Sequence, residues 1–140
     1  MNRVIPWLRV EGLAVLALSV ALYADSGLGW VVFALLFFVP DLFMLGYLAG
    51  PRVGALSYNL VHTYTVPLLL AGGSLLLGGS ELLPVTLIWF AHIGMDRALG
   101  YGLKLPSGFH ETHLGRIGRR SDEAGGSGAV ASPASSSPRP

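Results

Sequence analysis

Runs of apolar residues, separated by short polar or glycine-containing turns, fill most of the chain. Each run is about 19–25 residues long, and an α-helix needs roughly 20 residues to cross about 30 Å of hydrocarbon. Strands of a membrane barrel are about half as long and alternate in polarity, which these runs do not. The pattern therefore predicts an all-α fold: a four-helix transmembrane bundle with spans at about residues 5–24, 30–49, 53–77 and 82–100.

Composition favours a membrane protein with one domain. The chain has 140 residues, of which 52% are apolar and 12% are charged, and its net charge is +1. That charged share is about half of the usual share in soluble proteins, and the small net charge gives no sign of nucleic-acid binding. The absence of cysteine excludes disulfides, thiolate nucleophiles and cysteine-bound metals. The expected partner is the lipid bilayer.

The two ends of the chain have their own signals. Residues 121–140 hold six Ser, four Ala, three Gly and three Pro, which predicts a disordered tail after a transmembrane domain at 1–120. Residues 101–115 mix apolar, aromatic and basic groups, as a short interfacial segment does. The first run could instead be a cleaved signal peptide with Ser19 and Ala21 at the cleavage site, but Glu11 would sit awkwardly in it.

Charge placement predicts the orientation. With a cytoplasmic N-terminus, every basic residue falls on the inner side of the membrane. The charged residues of the two outer loops are then Asp25 and Glu81, both acidic. We therefore expect a bacterial inner-membrane protein with both termini in the cytoplasm. The basic residues are Arg3, Arg9, Arg52, Arg97, Lys104, Arg116, Arg119, Arg120 and Arg139.

Polar residues inside the predicted spans are the candidate site, because ionisable groups at membrane depth are costly and usually functional. A rise of about 1.5 Å per residue places them between the midplane and the inner leaflet. Two pairs have helical spacing, Asn59 with His62 and His92 with Asp96. The predicted polar cluster is Glu11, Asp41, Asn59, His62, His92, Asp96 and Arg97.

Prolines and glycines refine this picture. Pro40 and Pro67 cannot donate backbone hydrogen bonds, so we expect kinks beside Asp41 and His62. Gly46, Gly50 and Gly54 predict a tight inner turn with helices in close approach. Gly94 and Ala98 would let another helix approach the fourth span.

Each polar group also has a structural interpretation. Asp96 with Arg97, and Glu11, can anchor helix ends near the interface. Asn59 can bond another helix, and neutral His62 and His92 can simply form hydrogen bonds. Alternatively, His62, His92 and Asp96, with Asp41 as a further candidate, form a possible zinc site.

The segment after the fourth span carries two more histidines. His110 and His113 are spaced His-x-x-His, which differs from the His-Glu-x-x-His of zinc peptidases. We expect them to cap the inner mouth of the bundle and to reach the intramembrane cluster.

Two strings resemble a known family. PDLFMLGYLAGPRVGALSYNLVHTYTVPL (40–68) and WFAHIGMDRALGYGLKLPSGFHETHLGRIG (89–118), together with the opening Glu11-Gly12, resemble the bacterial membrane-protein family catalogued as domain of unknown function 4260. The resemblance covers about residues 7–118. It implies a small multi-pass membrane architecture and no particular activity.

Three functions follow from the residues. The first is proton or cation handling by the polar cluster, as a carrier, sensor or accessory subunit, for which a homo-oligomer would be needed. The second is a structural or assembly scaffold whose polar groups fix helix register. The third is a metal-dependent, membrane-embedded lipid hydrolase.

Overall fold

Helices form most of the structure, a computed structural model that describes residues 4–117. The predicted tail at 121–140 lies outside the described residues. The helices are α1 (Ile5–Ala24), α2 (Trp30–Phe37), a 3-10 helix (Val39–Ala49), α3 (Pro51–Val61), α4 (Thr65–Leu76) and α5 (Leu83–Leu99). The strands are β1 (Lys104–Leu105), β2 (Gly108–Thr112) and β3 (Gly115–Arg116).

Two helical stretches are long and apolar enough to cross a membrane. They are Ile5–Ala24 and Trp30–Ala49, each of 20 residues, and they coincide with the first two predicted spans. Their length and composition alone make these two stretches candidates for membrane association.

Prolines interrupt the predicted second and third spans. The second changes from α2 to the 3-10 helix, in which Pro40 is one of the first two residues. The third is two helices, because the chain leaves helical geometry at residues 62–64 ahead of Pro67. The expectation of kinks beside both prolines is confirmed, whereas a continuous helix at 53–77 is wrong: α3 begins at Pro51, and the missing N–H of Pro67 favours a break.

The prediction of an all-α fold is wrong for the segment after α5. Here three short strands form an antiparallel sheet in the order β1-β2-β3. The side chain of Asn59 joins this sheet to α3: its Oδ1 accepts from the Lys104 N–H at 2.7 Å, and its Nδ2 donates to the Lys104 carbonyl at 2.8 Å. A side-chain amide thus pairs with β1 as a neighbouring strand would.

Helices α1 and α5 approach each other closely at Gly12 and Gly94. A Cβ atom added at Gly12 would lie 2.7 Å from the Gly94 carbonyl oxygen, and one added at Gly94 would lie 2.7 Å from the Gly12 oxygen. The predicted close approach of a helix at Gly94 is confirmed. The predicted tight inner turn is confirmed as well, since a Cβ at Gly54 would overlap the ring of Tyr47.

The distribution of polarity is the reverse of that in a water-soluble globule. A small apolar core contains Tyr23, Phe37, Ile88 and Ala91. Ionisable side chains are buried as deeply, whereas large apolar side chains such as Leu76 and Leu77 are 90% and 91% exposed. Buried polar groups beneath an extensive apolar surface are the informative departures from normal burial.

Candidate metal centre

Four side chains from three segments meet in the interior. Asp41 comes from the 3-10 helix, His62 follows α3, and His92 and Asp96 lie one turn apart on α5. The Nε2 atoms of the two histidines are 3.1 Å apart. Asp41 Oδ1 lies 3.6 Å from Nε2 of His62 and 3.5 Å from Nε2 of His92.

His62 is oriented by the last turn of α3. Its ring stacks on that of Tyr58, with centroids 3.6 Å apart. Its Nδ1 lies 2.8 Å from the Tyr58 carbonyl oxygen, so Nδ1 carries the proton that is donated to this acceptor. The Nε2 lone pair is therefore directed at His92 and Asp41. Metal-binding histidines typically donate their second N–H to a backbone carbonyl in this way.

His92 is fully buried on α5. Its ring packs edge-on against Phe37, with centroids 5.3 Å apart. Its Nδ1 has no hydrogen-bond partner among residues 4–117. Its Nε2 faces His62 and the carboxylates.

The ligand atoms have the spacing of a metal site. The Asp41 oxygen and the two Nε2 atoms lie within 4.8 Å of one another. Tetrahedral zinc with bonds of about 2.0–2.1 Å places its ligand atoms about 3.3 Å apart. The observed separations of 3.1, 3.5 and 3.6 Å lie on either side of that value.

Asp41 is the solvent-accessible member of this set of three side chains. Both imidazoles are 0% exposed, but the side chain of Asp41 is 35% exposed. Asp41 borders a cavity of about 320 Å³, which Asp96 and Tyr58 also line. An ion bound by Asp41, His62 and His92 could therefore take a ligand from this cavity.

Asp96 is a second carboxylate beside the Nε2 atoms of His62 and His92. Its Oδ2 lies 3.6 Å from Nε2 of His62 and 3.9 Å from Nε2 of His92, and it accepts a hydrogen bond of 3.1 Å from the Tyr58 hydroxyl. The metal set expected from sequence was His62, His92 and Asp96, whereas the geometry groups the histidines with Asp41. Tyr58 was missed; its position one helical turn before His62 was the available signal.

Side chains of α5 stabilise the helix break at residues 62–64, where His62 lies. The indole N–H of Trp89 donates to the Val61 carbonyl at 2.6 Å, and Arg97 Nη2 donates to the His62 carbonyl at 2.8 Å. Arg97 Nη1 donates to the Tyr101 carbonyl at 2.8 Å. These donors satisfy acceptors that the end of α3 leaves free. Arg97 therefore lies outside the ligand set and positions it.

The remaining predicted cluster members lie elsewhere. Asn59 binds β1, as described above. Glu11 lines a separate cavity of about 340 Å³ together with Arg97 and His113. Glu11 is turned away because its neighbour Gly12 faces α5.

The two C-terminal histidines do not reach the imidazoles. His113 Nδ1 accepts from the Leu103 N–H at 2.8 Å, and His110 packs edge-on against Phe109. Burial lowers the pKa of His113, and nearby Arg97 lowers it further. Lys104, from the same C-terminal segment, lines the cavity beside Asp41 and Asp96, whereas His113 lines the separate cavity that Glu11 borders.

These features define a mostly helical protein with two apolar helices of membrane-spanning length and a buried His/Asp centre. The chain belongs to the family described as Domain of unknown function (DUF4260), whose family model matches residues 6–117. No curated protein and no solved structure matches the chain.

Proposed function

We propose that this chain is a multi-pass bacterial inner-membrane protein that binds one zinc-class divalent metal and uses it to hydrolyse a lipid. One observation carries the proposal: the convergence of Asp41 Oδ1 with Nε2 of His62 and His92 at 3.1–3.6 Å. Charge supports it, since Asp41 and Asp96 lie beside the same two imidazoles and a divalent cation would offset both carboxylates. Among residues 4–117, Arg97 and Lys104 donate to carbonyl groups and form no ion pair with either carboxylate.

The membrane part of the proposal has four crossings. They are α1, α2 with the 3-10 helix, α3 with α4, and α5. The exposed apolar surface supports it, because acyl chains can solvate such a surface. Arg9 Nε donates to the Ala98 carbonyl at 2.8 Å, which sets the start of α1 beside the end of α5. In the proposed topology, both of these ends lie at the cytoplasmic face.

The hydrolytic part rests on an open coordination position. Catalytic zinc sites have three protein ligands and one water, whereas structural sites are closed by four protein ligands. The 35% exposure of Asp41 and the adjacent cavity leave room for that water. A bound metal makes its water acidic enough to ionise near neutral pH. Asp96, beside both imidazoles, is the base that takes the proton.

The test is metal content. The full chain, purified in detergent and dialysed against a zinc buffer, should retain about one zinc per chain, and His62→Ala with His92→Ala should abolish retention. His110→Ala with His113→Ala is the matched control and should retain the metal. A folded wild-type protein that stays metal-free throughout a zinc titration would refute the proposal.

A second candidate, a cation carrier, is favoured by the helix break at residues 62–64. Transporters bind ions at such discontinuous spans. Reconstituted vesicles with a metal-sensitive dye inside separate the two candidates. A carrier moves zinc across the bilayer, whereas the proposed hydrolase retains zinc without flux and releases product from a lipid.

A further inference from the structure

We infer that the cavity beside the metal centre binds a phosphate group, held between the metal and Lys104, so that the substrate is a phosphate ester. This inference rests on the proposed metal site. It names the substrate class of that same site.

Lys104 is a buried cation without a carboxylate partner. The residue is 5% exposed, although lysine is almost never fully buried unless paired. Its Nζ donates to the Phe109 carbonyl at 2.9 Å and lies 4.1 Å from the centroid of the Phe109 ring. Among residues 4–117, no carboxylate lies within 4.0 Å of this nitrogen, and the Phe109 bond uses one of its three donors.

The backbone of Lys104 is fixed relative to the metal centre. Both of its polar backbone groups pair with Asn59, the residue after Tyr58 on α3. The ring of Tyr58 lies 5.3 Å from the Lys104 ammonium, and its hydroxyl binds Asp96. The ammonium and the two carboxylates therefore line one cavity with a defined geometry.

The charges that line the cavity favour an anionic ligand. A divalent ion neutralises Asp41 and Asp96, so the positive charge of Lys104 remains uncompensated in the cavity. Burial lowers the pKa of Lys104, which Asp96 offsets in part, so a bound anion would stabilise the ammonium. Phosphate suits both groups, because one oxygen can bind the metal while another accepts from lysine.

The remaining residues that line the cavity indicate what kind of group carries the phosphate. They are apolar or aromatic, and they include Met44, Met95, Tyr101, Phe109 and Ile117. The cavity, about 320 Å³, falls in the range of small-molecule sites. A phosphate attached to an organic group therefore fits better than a bare ion.

The reaction implied is hydrolysis of the ester. Asp41, His62 and His92 would hold the metal, which would supply an acidic water; that water would give one proton to Asp96 and attack phosphorus. A new P–O bond forms while the P–O bond to the alcohol breaks. Asp96 returns the proton to the departing oxygen, which leaves one alcohol and one phosphate.

The experiment uses the full chain loaded with Co²⁺ in detergent and titrated with inorganic phosphate. We expect phosphate to change the visible absorption of the bound Co²⁺. Lys104→Gln should weaken phosphate binding by about tenfold or more, since one charge-assisted hydrogen bond is lost. Lys104→Arg keeps the charge and should stay within about threefold of wild type. Both variants should keep wild-type Co²⁺ content and circular dichroism, since Lys104 is not a ligand.

The outcomes separate this inference from the proposed function. Absence of bound Co²⁺ in the folded wild type refutes the metal site and the inference with it. Bound Co²⁺ with no phosphate effect, or with equal affinity in Lys104→Gln, refutes the inference alone. If Lys104→Gln does not fold, the wild type is titrated with phosphate and with methanol, an uncharged competitor. Equal affinity for the two compounds would refute the inference.

A second arm identifies the source of the phosphate. Co²⁺-loaded chain in phosphate-free maltoside micelles is titrated with phosphatidic acid and, separately, with glycerol phosphate. A spectral change with phosphatidic acid, abolished by Lys104→Gln, supports a lipid headgroup. A change with glycerol phosphate alone supports a soluble ester and refutes the lipid part of the proposed function. No change with either ester overturns phosphate recognition.

Discussion

The Nε2 atoms of His62 and His92 face each other at 3.1 Å, although the two residues are 30 positions apart in the chain. The proton of His62 is on Nδ1, where it binds the Tyr58 carbonyl, so its Nε2 is a bare acceptor. Without an ion, Nε2 of His92 can donate to this acceptor, because His92 Nδ1 has no partner among residues 4–117 and can be the unprotonated nitrogen. With the oxygen of Asp41 at 3.5–3.6 Å, the same atoms form the set that we propose to bind the metal.

Zinc should stabilise the wild-type fold. A ligand that binds only the folded state adds about 2.7 kcal/mol to the free energy of unfolding when present at a hundredfold excess over its Kd. Thermal unfolding in detergent, with zinc and then with a chelator, measures the difference. His92→Ala should lose the zinc-dependent part, whereas His110→Ala should keep it. An equal zinc effect in both variants would contradict the assignment.

Tyr58→Phe should weaken metal binding by about 2–10-fold, the equivalent of one lost hydrogen bond that holds Asp96 beside the two imidazoles. The variant removes the hydroxyl that binds Asp96 but keeps the ring against His62. Competition with a zinc chelator gives the affinities. Tyr64→Phe is the matched control, because the Tyr64 ring packs against Phe90 instead. Equal affinity in the two variants would show that the Tyr58–Asp96 bond has no influence on the site.

Trp89→Phe should displace His62 without touching a ligand. The Val61 carbonyl would lose the indole N–H at 2.6 Å, and an unsatisfied buried acceptor costs about 1–3 kcal/mol. We expect a lower melting temperature and weaker zinc binding together. Trp7→Phe, at a site that is 71% exposed, controls for the loss of an indole. Wild-type zinc affinity in Trp89→Phe would contradict a positioning role for the indole.

Gly94→Val should separate α1 from α5. The added side chain would overlap the Gly12 carbonyl, and overpacking typically costs about 1–3 kcal/mol. Unfolding in detergent should show this loss. Gly72→Val is the control, because no atom lies within 4 Å of a Cβ at Gly72. Similar losses in both variants would place the effect in helix propensity and not in the α1–α5 contact.

Acidification should loosen the C-terminal sheet. Burial lowers the pKa of His113 below its usual 6.5, so the folded state binds this proton more weakly than the unfolded state. Stability is then complete above about pH 6.5 and falls as the pH drops below it. The protection factors for hydrogen exchange at residues 103–117, which are rates corrected for the intrinsic pH dependence of amide exchange, should be lower at pH 5 than at pH 7.5. His113→Gln should remove most of that difference.

Depth and helical spacing predicted a cluster of seven residues, of which four meet at the centre. Asp41, His62, His92 and Asp96 were all expected at one level, and the structure brings their side chains together. Asn59 was placed with His62 because the two are three residues apart. That relation fails because the amide of Asn59 pairs with β1, whereas His62 stacks on Tyr58, four residues before it.

Other features depended on tertiary contacts that no local pattern encodes. Arg97 adjoins Asp96 in sequence, but its guanidinium donates to the His62 carbonyl at the helix break and to the Tyr101 carbonyl after α5. The sheet is stabilised by pairing of Asn59 with β1, a contact across 45 positions. Lys104 was read as one of the inner-side basic residues, and its burial follows from that pairing.

The break after α3 and the late position of α5 also set an order of events during synthesis. Asp41 and His62 leave the ribosome well before His92, and the indole and guanidinium that fix the break also belong to α5. A nascent chain that stops before the last helix holds an incomplete set of ligands. The proposed metal site would therefore become complete only after α5 has been synthesised.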